Sequence, residues 1–427
     1  MHNDFQRVVG DVEAAIGYAD LHGALRDLVP WLARIGTLEP ADRERALALL
    51  GRALSIGYGE RFDAVTRAAA GAPDEVDPLL ALGYELVEHG VLEPAAAVLR
   101  RAVALSPTDP RPLHELVAAL ERQGRYGAAL AALRAAPPGV AAHPLTRYLV
   151  AFHAALVGDP GPAQATAAHL ARHSAPRYAF MGRRLQALRA RAEAASGLDA
   201  SPDQRRELWV SGTVLLDRAP ASPESAGPLA STEGVAGLVA ALRAALEAQG
   251  ASRPRALALP DRDSQVVGHA VARALGVPLE TWYTGARPGL LVAWELAGAL
   301  AEQLAELKRR IPGQLLFAVV ADPDAEDPIA ADLLGALASR RAPPWGGGGA
   351  TLDFRFDLDD DEPLGETTAE DDPREPEAIG GDVARLAAEA APPAAAREVI
   401  AGLARASLAG DEPDERRHRR WRRPTEG

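Results

Sequence analysis

Apolar residues recur at helical spacing through the N-terminal part of the chain. Val8, Val12, Ala15 and Ile16 share one face of a first helix. Leu47, Leu50 and Leu54 form another stripe, followed by Phe62, Val65 and Ala68. From residue 76 the pattern repeats. Stretches 76–109 and 110–143 lie in one 34-residue frame. In register, Leu79, Leu82, Gly83 and Leu86 fall opposite Leu113, Leu116, Val117 and Leu120. Gly90 falls opposite Gly124, and Ala95, Leu99 and Ala102 fall opposite Ala129, Leu133 and Ala136. Each stretch reads as a helix with large apolar slots, a turn glycine, and a second helix whose alanines let neighbours approach closely.

After Ser201-Pro202-Asp203 the period changes. Leu208 to Leu216 reads as a strand, 219–231 as a Pro/Ser-rich loop, and Val235 to Ala248 as an amphipathic helix behind Ser231 and Thr232. Arg255 to Leu259 is a short strand, and a helix over 265–275 starts at Asp263 or Ser264 and ends at Gly276. Leu279 to Tyr283 is a third strand, and 289–310 reads as a helix, with a strand at its start as the other reading. Leu315 to Val320 is a buried strand, and 328–340 reads as a helix. Alternating strands and helices predict an α/β domain with a mainly parallel sheet over 201–341. Beyond Arg341, Pro343-Pro344-Trp345 and four glycines break the chain. Thr351 to Leu358 alternates like an edge strand, the acidic stretch 357–376 is expected to be disordered, a helix falls near 382–407, and the tail ends in arginines around Trp421.

The 34-residue pattern resembles the tetratricopeptide (TPR) family, with Pro107 in the slot where that family ends its second helix. The resemblance extends to a unit at 145–178, built on Tyr148, Ala151, Phe152, Ala155, Ala168, Ala171 and Pro176, whose turn is Gly158-Asp159-Pro160. A degenerate unit covers 42–75, and 179–198 reads as a capping helix with a solvated arginine face. The resemblance implies a helical solenoid over 1–200 and a concave groove lined by the first helix of each repeat. Mapped by position, the groove residues are Asp77, Leu80, Tyr84, Val87 and Glu88, then Arg111, His114, Ala118, Glu121 and Arg122, then Thr146, Leu149, His153, Leu156 and Val157. This set lacks the asparagines and lysines with which chaperone-binding members of the family clamp a terminal carboxylate.

Composition narrows the classes. The 427 residues are 48% hydrophobic but only 5% aromatic, which suits close-packed helices. The net charge of −13 makes a nucleic-acid partner or an anionic membrane surface an unfavourable reading. The absence of cysteine removes disulfides, thiolate metal sites and cysteine nucleophiles. Lys308 is the only lysine, and the excess of alanine and arginine fits a GC-rich, bacterial genome. Neither a signal peptide nor a membrane-length apolar run is legible, so the expected location is the cytoplasm.

Candidate chemistry is sparse. Ligands of open parallel sheets bind at strand C-termini. That places Asp217, Arg218, Asp261, Arg262, Asp263, Ser264, Tyr283, Thr284, Asp322 and Asp324 near one edge. Amides of the helix starting near Ser264 suit an anion. Val319 to Asp324 faintly resembles the phosphoribosyltransferase signature, but the loop Ala325-Glu326-Asp327-Pro328 would repel phosphate. A Mg²⁺ site at Asp322 and Asp324 is one reading and an acidic helix cap is the other. His169 and His173 share a helix face, without the third ligand a zinc site needs. Gly346 to Gly349 is not a Walker loop, and no Gly-x-Ser-x-Gly is present. The expectation is therefore an adaptor that binds a protein or peptide through the repeat groove, with no cofactor. The alternative is an α/β enzyme whose repeats recruit substrate or subunits.

Overall fold

A computed structural model describes residues 2–218, 227–250, 254–285, 287–296, 299–309, 311–322, 329–338, 342–346, 372–390 and 392–408. The described chain is mostly helical, with one small, all-parallel sheet. It divides into two compact units, one of Met1–Val157 with His169–Ala179, the other of Gly158–Ala168 with the described residues from Phe180 onward.

The first unit begins with α1 (His2–Gly17), α2 (Leu21–Leu32), α3 (Pro40–Tyr58) and α4 (Asp63–Gly71). It continues with α5 (Val76–Glu88), α6 (Leu92–Leu105), α7 (Pro110–Arg122), α8 (Tyr126–Arg134), the single turn α9 (Pro138–Ala141) and α10 (Pro144–Leu156). The starts of α5, α7 and α10 are 34 residues apart. Local signals fix those starts. Asp109 caps α7 by accepting the Arg111 amide at 2.9 Å, and Pro110 and Pro144 stand where a helix needs no N–H. Gly90 and Gly124 turn the chain at φ values of 75° and 71°, which an L side chain resists. Consecutive helices from α3 to α8 pack on one another, and α8 packs on α10. One continuous core results, running from Phe5 through Leu50, Leu82 and Leu116 to Val140. At its tightest point Gly83 of α5 meets Leu99 of α6, where an added Cβ would lie 2.4 Å from Leu99 Cδ2.

Next come α11 (Pro162–Leu170) and α12 (Pro176–Ala194). The longer Gly158-Asp159-Pro160 turn puts α11 two residues beyond the 34-residue phase, and Pro176 opens α12 rather than closing a repeat.

The second unit holds α13 (Pro202–Ser211), β1 (Val214–Leu215), α14 (Thr232–Ala248), β2 (Ala256–Ala258), α15 (Arg262–Leu275) and β3 (Leu279–Thr281). Then follow β4 (Gly289–Ala293), α16 (Ala301–Leu307), β5 (Gln314–Ala321), β6 (Leu333–Leu337), α17 (Pro376–Glu389) and α18 (Ala394–Ser407). The sheet order is β1-β6-β5-β4-β2-β3, parallel throughout. β2, β4 and β6 are wholly buried, which explains their continuous apolar runs. α15 packs on β2, β3 and β4, and Gly268 admits Ala258 against the helix. α17 then packs on α14 and α15, and α18 on α14, α13 and β1.

Several expectations are corrected. The strand expected over Leu208–Leu216 begins as the last turn of α13, through Ser211, and only Val214–Leu215 joins the sheet. Ser201 and Gln204 form a capping box, Pro202 takes the first turn, and Gly212 closes the helix at φ 76°. The helix expected over 328–340 is instead β6 within its described part, with Leu333 in register with both Val214 and Phe317. In 289–310 the reading with a strand at the start is the one found, as β4 leads and a separate short helix, α16, follows. A single C-terminal helix near 382–407 becomes α17 and α18, and α17 begins inside the stretch expected to be disordered. Residues 357–371 of that acidic stretch, the edge strand at 351–358, most of the loop at 219–231 and the basic tail lie outside the described residues. Among the described residues no helix is long and apolar enough to cross a membrane.

Candidate functional site

The faces expected to line a groove on α5, α7 and α10 do lie side by side. Asp77 Oδ1 accepts from Arg111 Nη2 at 3.2 Å, joining equivalent positions of α5 and α7. At the other end of α5, the Arg122 guanidinium donates to the Val87 carbonyl, while Gln123 Nε2 donates to the Leu92 carbonyl at 2.7 Å. Both side chains thus reach backbone carbonyls of the preceding helix pair. Between α7 and α10, His114 Nε2 sits 2.8 Å from Thr146 Oγ1, and Glu121 Oε2 lies 3.3 Å from His153 Nε2. His153 Nδ1–H donates to the Leu149 carbonyl at 2.8 Å.

The row is not uniformly open. Tyr84 is 46% exposed, and Asp77, Glu88 and Arg111 are exposed around it. Leu80, Ala118, Glu121, Arg122 and Leu149 are half-buried. Val87 and Leu156 are buried, whereas Val157 is exposed. Thr146 and His153 are fully buried, so they are packing groups rather than accessible contacts. The accessible face is confined to α5 and the start of α7. Burial, helped by the neighbouring His143 ring 5.3 Å away, pushes the His114 imidazole down to about 4, so it is neutral near pH 7. Glu115 is pushed the other way, up, by burial and by Glu88.

The second candidate sits at the sheet's switch point. Without β1 the order is β3-β2-β4-β5-β6, and the chain reverses direction across the sheet between β2 and β4. Asp261 to Ser264 stand there, but their polar groups bond within the chain. Asp261 Oδ1 accepts the Ser264 amide at 2.8 Å as the cap of α15, and Ser264 Oγ accepts the Trp294 amide at 2.8 Å. Asp263 Oδ1 accepts from Trp345 Nε1 at 2.9 Å, and the Trp345 ring stands edge-on to Trp294 with centroids 5.3 Å apart. Arg262 donates to the carbonyls of Asp372 and Arg374. Trp345, in the segment expected to be only a breaker, is thus a buried plug over the crevice where such sheets hold ligands. Its one sequence signal was a tryptophan behind two prolines.

The remaining candidates disperse. Arg218 pairs with Asp199 at 2.5 Å, and Tyr283 is 64% exposed. Asp324, Glu326 and Asp327 lie outside the described residues, and no group of three metal-ligating side chains occurs among the described ones. His169 and His173 do meet, Nε2 to Nε2 at 3.3 Å. Yet Arg172 Nη2 donates to His169 Nδ1 at 3.2 Å, which leaves the proton of neutral His169 on Nε2 and gives that nitrogen a donor's role rather than a ligand's. Arg147, His173 and Arg172, after burial, hold His169 below the ordinary histidine range.

No family model, curated protein or solved structure matches the chain.

Proposed function

We propose that the chain is a scaffold of the tetratricopeptide type, which holds a protein or peptide partner on the α5–α7 face. The observation that carries this reading is the accessible Tyr84 in a row where 34-residue equivalents, Asp77 and Arg111, stand side by side. An exposed aromatic amid acidic and basic groups that need not reorganise is the composition of a binding hot spot. Arg122, His114 and Glu121 support the row from within, by bonding neighbouring helices rather than a ligand. The expected location is the cytoplasm, and no cofactor is invoked.

The test is capture of partners by the full chain, by a Tyr84→Ala/Glu88→Arg variant and by Asp322→Ala. A partner held by wild type and Asp322→Ala, lost by the groove variant with its melting temperature unchanged, supports the scaffold. Equal capture by all three overturns it. The alternative, an enzyme acting at the strand ends, is supported by the switch point beneath Trp345. It requires a small ligand that changes Trp294 and Trp345 emission and stabilises the chain.

A further inference from the structure

A second concavity lies away from the α5–α7 face, between α2 and α6 at the start of α8. Its volume, counting solvent at the mouth, is about 740 Å³. Val29 and Pro30 of α2 and Ala33 at its C-cap form an apolar wall, and the buried Ala96 and Ala97 of α6 form the floor. Arg100 and Arg125 project into it. Neither guanidinium has a carboxylate partner among the described residues. Arg100 makes no hydrogen bond there, and Arg125 has only a long 3.5 Å contact to Gln123 Oε1. Arg100 is half-buried, and burial together with the charge of Arg125 holds it below the ordinary arginine range.

Two like charges in a half-buried cavity are an unfavourable arrangement for folding alone. Elsewhere in this unit arginines meet acids. Arg43 and Arg101 both reach Asp74, and Arg111 reaches Asp109 and Asp77. Arg125 also stands at the N-cap of α8, which has no capping side chain, so the positive end of the helix dipole adds to the same place. Glu93, two turns before Arg100 on α6, contributes one negative charge to the lining, leaving a net charge of plus one. That balance suits a monoanion better than a phosphate dianion. Val29, Pro30 and Ala33, which are half-buried or exposed, suit an apolar flank, while Ala96 and Ala97 form the buried floor.

We propose that the α2–α6–α8 concavity binds a carboxylate side chain of an acidic peptide, clamped between Arg100 and Arg125 with an apolar neighbour against Val29 and Ala33. Bidentate guanidinium–carboxylate pairing supplies the specificity. This site is independent of the α5–α7 face.

The experiment uses the full chain with ¹⁵N-labelled arginine side chains, titrated with acetyl-Leu-Glu-Leu-amide. Acetyl-Leu-Gln-Leu-amide and inorganic phosphate serve as separate arms. Expected are saturable shifts of the Arg100 and Arg125 Nε–H signals with the Glu peptide alone, weakened at least about tenfold by Arg100→Gln or Arg125→Gln. Without peptide, each substitution should leave the melting temperature unchanged or raise it, because repulsion is relieved. A structural role would lower it. Absence of a saturable shift at millimolar Glu peptide overturns the proposal, as do equal shifts with the Gln peptide or with phosphate. A fall in melting temperature in both variants also overturns it.

Discussion

His114 shows how a single burial sets a pH response. Its folded value of about 4 lies below the unfolded 6.5. Above 6.5 neither state holds the proton and the ring costs nothing. Between 6.5 and about 4 the unfolded chain takes up a proton that the fold refuses, so stability falls as pH falls through that window. His143, His169 and His269 are shifted in the same direction and add to the loss. Glu115, raised by burial and Glu88, acts in the opposite sense towards the acid end. We expect denaturant midpoints to drop from pH 7 to pH 4, and His114→Gln, which can still bond Thr146, to flatten that slope. An unchanged slope would remove His114 from the account. Glycines give a paired prediction at the same scale. Gly83→Ala drives a Cβ against the buried Leu99 branch and should cost about 1–3 kcal/mol. Gly10→Ala, mid-helix on α1 with open space around it, should stabilise by up to about 1 kcal/mol. Urea unfolding of both variants checks the pair.

At the scale of elements, legibility followed how local the determining signal was. α5 to α8 and α10 were readable because apolar slots and turn glycines repeat in one frame. α13 was misread because Leu208-Trp209-Val210 suits a strand, while the Ser201/Gln204 box and Gly212 that define the helix flank that run. β6 was misread because Leu333 to Leu337 has helix-forming composition. Its strand state comes from β1 and β5 on either side, and from Gly335, whose absent side chain leaves room for the Val319 carbonyl. Asp77 meets Arg111 and His114 meets Thr146 across neighbouring helices, but the burial of these positions was not legible. Nothing local to Thr146 or His153 says that they are covered. Trp345 was missed because its role depends on Asp263 and Trp294, far away in sequence. Trp345→Ala should cost about 3–5 kcal/mol in denaturant unfolding. A loss well under 1 kcal/mol would mean that the indole does not hold the crevice closed.

For the whole molecule, the C-terminal helices change the reading most. The helix expected near 382–407 stood behind a breaker and an acidic stretch with no core assigned to it, whereas α17 and α18 belong to the core of the sheet unit. Gly380 lets α17 approach α15 so closely that a Cβ there would lie 2.5 Å from the Val266 carbonyl. Ile379, Val383, Ala387 and Leu403 are buried. A chain ending at residue 371 would therefore expose the apolar faces of α14 and α15 that these helices cover. The tryptophans make the consequence measurable, because Trp209, Trp282, Trp294 and Trp345 are all in the sheet unit and at most 8% exposed. If α17 and α18 complete the core, truncation should red-shift the emission, raise dye binding to apolar surface and abolish the cooperative transition seen by those tryptophans. If they were an appendage, emission and transition would survive truncation unchanged. Gly380→Val separates packing from chain length. It keeps every residue of α17 but blocks its seat on backbone that cannot give way, so it should reproduce the truncated spectrum in part, while Gly381→Ala, which meets only the movable end of Arg273, should not.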